Sequence, residues 1–119
     1  MPKILIVDDD KSICELLRDI FKKEGYTIEE AISGNEAFLM FKSTNPDLVL
    51  LDVSMPGMNG IELLKKIREI NRKVFVVVIS AHEDAVLIKE AFELGAYDYI
   101  RKPFNVDYLR KSVLSKIVA

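Results

Sequence analysis

Residues 4–10 read Ile4-Leu5-Ile6-Val7-Asp8-Asp9-Asp10, an apolar run that passes without a break into three carboxylates. Four apolar residues are too few for a buried helix. A strand without polar alternation is covered on both faces, as in a parallel sheet between layers of helices. Leu48-Val49-Leu50-Leu51 and Val74-Phe75-Val76-Val77-Val78-Ile79 repeat the pattern. The runs Tyr26–Ile32 and Tyr97–Ile100 are weaker and fit shorter or edge strands.

Helical periods fill the gaps. Ile13, Leu16, Leu17, Ile20 and Phe21 follow one buried stripe. Ser12-Ile13-Cys14-Glu15 reads as a capping box, with Gly25 closing that helix. A second helix starts at Ser33-Gly34-Asn35-Glu36 and ends at Asn45-Pro46. The third runs from Gly60 to Asn71 with Ile61, Leu64, Ile67 and Ile70 as its apolar side, and the fourth from Glu83 to Leu94. Val106, Leu109, Val113 and Ile117 mark a fifth. Five strands and five helices in alternation, joined by right-handed crossovers, predict a doubly wound α/β sheet. For five strands the common order is the flavodoxin-like 2-1-3-4-5.

A length of 119 residues allows one domain, 1–119, and half of the residues are hydrophobic, enough for a core of its own. The balance of 17 basic and 19 acidic residues gives a net charge of −2, which argues against nucleic-acid binding, since phosphate neutralisation needs a basic excess. The one cysteine, Cys14, can form no internal disulfide and suits a reducing compartment. No apolar stretch approaches the length of a membrane span, and with Met1-Pro2-Lys3 running straight into the first strand no signal peptide is expected. The chain is expected to be cytoplasmic.

In open parallel sheets ligands bind outside the carboxyl ends of the strands, beside the switch point. Strand one ends in Asp8-Asp9-Asp10 and strand three in Asp52. As neighbours they bring three or four carboxylates together. One acid before a helix is explained as a cap, but the capping box already has Ser12. Three acids facing a fourth repel unless a cation sits among them, and carboxylates with water suit Mg²⁺. Asp52, opposite the acids and before the Met55-Pro56-Gly57 turn, is the candidate nucleophile, since a carboxylate can accept a phosphoryl group. Lys102, at the end of strand five, is placed to neutralise that group from the other side. Ser80 ends strand four and is open to two roles, phosphoryl contact and the cap of helix four in Ser80-Ala81-His82-Glu83.

Four segments together resemble the response-regulator receiver domain of two-component signalling, over nearly the whole chain. They are residues 4–10, Pro46-Asp47-Leu48-Val49-Leu50-Leu51-Asp52, Met55-Pro56-Gly57-Met58-Asn59-Gly60 and Gly95-Ala96-Tyr97-Asp98-Tyr99-Ile100-Arg101-Lys102-Pro103-Phe104. The resemblance implies that Asp52 is the phosphoacceptor, served by a histidine kinase or histidine phosphotransfer protein. It implies Mg²⁺ (or Mn²⁺) on Asp9, Asp52 and the Ser54 carbonyl, with Asp8 acting through water. Ser80 would bond a phosphoryl oxygen, Lys102 would pair with the group, and Tyr99 would be an aromatic switch. The peptide before Pro103 would be cis. Asn59 stands where the family usually has Asp, and Ser80 replaces the commoner Thr but keeps the hydroxyl. Ser54 and His82 would flank the water route, and His82 is otherwise a first-turn residue of helix four, with no second His or Cys nearby to complete a metal site.

Helix one carries more apolar residues than one stripe needs. Leu16, Leu17, Ile20 and Phe21 are expected on the sheet, leaving Ile13 and Cys14 beside the acids for a phosphohistidine partner, unless both are core. With Ala119 following directly on helix five, the expectation is a stand-alone regulator that either passes its phosphoryl group along a relay or binds a target directly, with no nucleic acid or membrane partner of its own. A receiver cut from a longer DNA-binding regulator is the alternative. An aspartyl phosphatase is the enzyme rival, but it would carry a second acid at position 54, where this chain has Ser. A flavodoxin-like nucleotide binder would need a glycine- and hydroxyl-rich loop where the three aspartates stand.

Overall fold

The computed structural model describes residues 2–53, 60–81 and 85–115. Element order is β1 (Lys3–Val7), α1 (Lys11–Lys23), β2 (Thr27–Ala31), α2 (Gly34–Thr44), β3 (Leu48–Leu51), α3 (Gly60–Ile70), β4 (Phe75–Ser80), α4 (Ala85–Glu93), β5 (Asp98–Arg101) and α5 (Val106–Leu114). The strands form one parallel sheet in the order β2-β1-β3-β4-β5, as expected.

Each continuous apolar run feeds two cores, because successive side chains leave opposite faces of a strand. Leu5, Val7, Val49, Leu51, Val76 and Val78 pack with α2, α3 and α4 through Phe41, Ile61, Leu64, Ile67 and Ala91. Ile4, Ile6, Leu48, Leu50, Val77 and Ile79 pack with α1 and α5 through Cys14, Leu17, Phe21, Leu109 and Val113. The central strands β1, β3 and β4 are therefore covered on both faces. Among the described residues no helix is long and apolar enough to cross a membrane.

Several helix details depart from the sequence reading. Ser12 does not cap α1; Asp10 does, its carboxylate accepting the N–H groups of Ser12 (2.9 Å) and Ile13 (3.4 Å). A short acid in extended backbone just ahead of the helix reaches those orphan donors, and Ser12 is left inside the first turn. The stripe of α1 is also rotated. Cys14, Leu17 and Phe21 are buried, Ile13 and Ile20 are half-buried, and Leu16 is 43% exposed. Positions 14, 17 and 21 satisfy helical spacing as well as 13, 16, 17 and 20 do, so contact with β1 and β3 made the choice. On α3, Leu63 is buried and Ile70 is 54% exposed; on α5, Val106 faces solvent. Ile117 and the box residues His82 and Glu83 lie outside the described residues. The helix ends agree with expectation: Ser33 caps α2, Asn45 closes it in the left-handed region, and Gly25 (φ 93°) follows α1.

Candidate functional site

The register puts the acids together. Val7 pairs with Leu51, so the next residues of the two strands, Asp8 and Asp52, leave the sheet side by side at its carboxyl end. The ladder continues one step further, with Asp52 N–H donating to Val7 O at 2.9 Å and Asp8 N–H to Ala31 O at 3.1 Å. Asp8 and Asp52 are buried at 2% and 4% exposure, while Asp9 is exposed at the mouth. Carboxylate oxygens of the three lie within 4.8 Å of one another. Asp10 is turned away into its cap.

Lys102 crosses this cluster from β5. Its Nζ donates to Asp8 Oδ2 at 2.8 Å and to Asp52 Oδ2 at 3.3 Å. The other Asp8 oxygen accepts Asp10 N–H at 2.9 Å. Burial pushes the Asp8 carboxyl above its ordinary range; Lys102 and the Asp10 amide oppose this without cancelling it. Burial also works against the Lys102 ammonium, but the bonds and charges of Asp8 and Asp52 outweigh it, so its pKa stands above the ordinary value. The ammonium thus bonds two of the three clustered carboxylates. The donor set is hard oxygen with a surplus of negative charge, and it suits a divalent cation of the Mg²⁺ kind.

The remaining site residues sit on the same rim. Ser80 is fully buried at the end of β4, and its carbonyl accepts Lys102 N–H at 2.9 Å. The Lys102–Pro103 peptide is cis. Tyr99 is half-buried and packs against the cluster under α2, α3 and α4. Its neighbour Asp98 takes Tyr99's own N–H (2.8 Å), the Tyr108 hydroxyl (2.8 Å) and the Ser112 hydroxyl (3.0 Å), which ties β5 to α5. Ser54, Asn59 and His82 lie outside the described residues.

Cys14 is a correction. It is 2% exposed and its Sγ donates to the Asp8 carbonyl at 3.3 Å, so it supports the acid strand from beneath and offers nothing to a partner. The apolar surface beside the acids is instead a groove of about 400 Å³ lined by Ile13, Leu16, Lys102, Pro103, Phe104 and Val106. Leu16, expected on the sheet, and Val106, on the apolar period of α5, are both exposed, because the period alone does not separate a groove position from a core one. The sequence carried no signal for the Cys14–Asp8 contact, which joins a helix to a strand end.

Residues 4–114 match the family model described as "Response regulator receiver domain". Sporulation initiation phosphotransferase F of Bacillus subtilis is 43% identical over 111 residues, covering 93% of this chain and 90% of that protein. Chemotaxis protein CheY of Thermotoga maritima is 41% identical over 104 residues, 87% of each chain. Among solved structures, one titled as the CheX-CheY-BeF3-Mg+2 complex from Borrelia burgdorferi superposes with a TM-score of 0.90 at 36% identity, over 99% of this chain and 90% of that one.

Proposed function

The chain belongs to the response-regulator receiver domain family, and on that premise we propose that Asp52 accepts a phosphoryl group from a phosphohistidine of a kinase or phosphotransfer protein. The observation that carries this is the meeting of Asp8, Asp9 and Asp52 within 4.8 Å under the Lys102 ammonium. In the transfer an Asp52 carboxylate oxygen attacks phosphorus, the P–N bond to the histidine breaks, and the imidazole keeps the electron pair and takes a proton. Asp9 and Asp52 would hold Mg²⁺ (or Mn²⁺) directly, with Asp8 through water and the Ser54 carbonyl completing the set. The cation supplies charge neutralisation for the phosphoryl oxygens.

The protein's own groups do the rest. Lys102 already holds a positive charge 3.3 Å from an Asp52 oxygen, so it needs little rearrangement to face the arriving phosphoryl group. The burial of Asp52 keeps water from competing freely. Ser80 donates its hydroxyl to a phosphoryl oxygen, and Tyr99 turns with the β4–α4 loop, so that the α4–β5–α5 surface signals a target or the group passes onward. In this reading the chain is a cytoplasmic signalling protein that catalyses only its own phosphorylation and dephosphorylation.

The phosphohistidine partner docks on the groove beside the acids, through Ile13 and, in place of Cys14, Leu16. Acetyl phosphate with Mg²⁺ should add one phosphoryl group, read by intact mass, and Asp52→Asn should abolish it. Full labelling of that variant, or labelling undiminished in excess chelator, would sink the proposal. Ile13→Ala and Leu16→Ala should slow transfer from a phosphorylated kinase while leaving acetyl phosphate labelling unchanged; equal slowing with both donors removes the groove from the account.

A further inference from the structure

Gly60 is the first residue of α3 and is buried. A Cβ there would lie 2.3 Å from Val53 Cα, 2.6 Å from the Asp52 carbonyl oxygen and 2.9 Å from Val53 Cγ1. Two of these atoms are backbone, so no rotamer change makes room. Gly60 is not among the glycines with positive φ, so what the position demands is space and not backbone freedom. Its N–H also donates to Val53 O at 3.2 Å. The first turn of α3 thus rests directly on the peptide that carries the phosphoacceptor.

We infer that Gly60 is a positioning residue for Asp52: its missing side chain sets how deep the end of β3 lies, and so where the Asp52 carboxylate enters the acid cluster. The helix is the firmer of the two bodies. Ile61, Leu63, Leu64 and Ile67 anchor α3 in the core, all at 5% exposure or less. Asp52 has passed the last paired residue of β3, where its N–H continues the ladder to Val7 O. A methyl group at position 60 therefore displaces the strand end. Moving a contact from 2.3 Å to an ordinary 3.4 Å takes about 1 Å. The bond from Lys102 Nζ to Asp52 Oδ2, at 3.3 Å, does not survive an outward shift of that size. Carboxylates that share a cation tolerate roughly 0.5 Å, and a misplacement of about 1 Å costs on the order of 100-fold in rate.

This inference rests on the phosphoacceptor reading, and its test separates the two. Gly60→Ala is compared with Ile67→Val, a buried change on the same helix that loosens the core without approaching Asp52. Three quantities are read: amide NMR shifts of residues 52 and 53 in metal-free protein, Mg²⁺ affinity by titration of those shifts, and the initial rate of acetyl phosphate labelling. In Gly60→Ala the two amides should move, Mg²⁺ binding should weaken about tenfold, and labelling should slow by roughly 100-fold. Ile67→Val should keep affinity and rate within about twofold of wild type despite a lower melting temperature. Gly60→Ala binding Mg²⁺ and reacting like wild type overturns the inference, as does parity with Ile67→Val. Failure of Gly60→Ala to fold overturns it too, because the contact is then a condition of the fold and not a setting of the acid. Should wild type accept no phosphoryl group, the functional reading falls, while amide shifts and Mg²⁺ titration still decide the role of Gly60.

Discussion

Replacing Arg68 by Met should destabilise the protein by about 3 kcal/mol without touching the phosphorylation site. The half-buried guanidinium of Arg68, on the last turn of α3, donates to four backbone carbonyls. Nε reaches Leu94 O at 2.8 Å, Nη1 reaches Val74 O at 2.8 Å and Asn71 O at 3.3 Å, and Nη2 reaches Gly95 O at 2.9 Å. One side chain therefore closes the α3–β4 loop onto the α4–β5 loop. Gly95, at φ 86°, lies so close that a Cβ would come within 3.2 Å of Arg68 Nε. Bonds to a charged donor net roughly 1.5–3 kcal/mol each, but the four cannot be summed, since one desolvated cation serves them all. Burial opposes that cation, holding its pKa below the ordinary arginine value. The Gly95 bond is exposed, and the Asn71 bond is long. The two short, part-buried bonds to Leu94 and Val74 carry the effect, at about 1.5 kcal/mol apiece. For a chain of this size about 3 kcal/mol corresponds to a fall in Tm of roughly 12 °C. Arg68→Lys should recover less than half, because an ammonium cannot reach carbonyls on two loops with a planar fork. Urea unfolding followed by circular dichroism measures both variants, with the slope m unchanged. Arg68 lies at the amino ends of β4 and β5, so acetyl phosphate labelling of folded Arg68→Met should match wild type. A loss under about 1 kcal/mol, or Arg68→Lys equal to wild type, would refute the assignment of the effect to the carbonyl fork.

The Cys14 thiol should resist alkylation in folded protein and react fully in urea. Burial first, and then the charge of Asp8, push its pKa from 9.0 up to about 11. Because the folded value stands above the unfolded one, the thiol's contribution to stability is intact below pH 9 and lost as pH climbs toward 11; alkylation at pH 8 at the rate of a free thiol would contradict the burial. Asp10→Ala should cost about 1 kcal/mol in urea unfolding through loss of the α1 cap, while Mg²⁺ affinity changes by less than about threefold; a tenfold loss would add Asp10 to the ligand set. Lys102→Met removes the positive charge 2.8 Å from Asp8 and 3.3 Å from Asp52. Isothermal titration should then show Mg²⁺ bound severalfold more tightly while labelling falls by about tenfold or more, and weaker binding would show that Lys102 holds the acids in place for the metal.

The chemistry of this chain was legible because it sits at strand ends. An apolar run too short for a helix, stopped by Asp8-Asp9-Asp10 or by Asp52, states both a buried strand and the charges at its exit. The parallel order then makes those exits neighbours. Strand positions came within a residue or two, since double-sided burial leaves an unbroken apolar signal. What remained undecided was every choice between equivalent local solutions. Three adjacent aspartates offer three possible caps, and the direction in which the chain leaves β1 assigned the cap to Asp10 and freed Asp8 and Asp9. Two stripes satisfy the period of α1, and packing on β1 and β3 buried Cys14 and exposed Leu16. Nothing in the local sequence singles out Arg68, and it is folding that brings Leu94 and Gly95 beside it. Gly60 reads in the sequence only as the start of a helix, and it is the fold that brings α3 to rest on the peptide of Asp52 and Val53. The sequence by itself determined which groups stand at the rim of the sheet, because period and punctuation are local properties of the chain. The tertiary structure decided which of them face one another, because that depends on contacts between residues far apart in sequence.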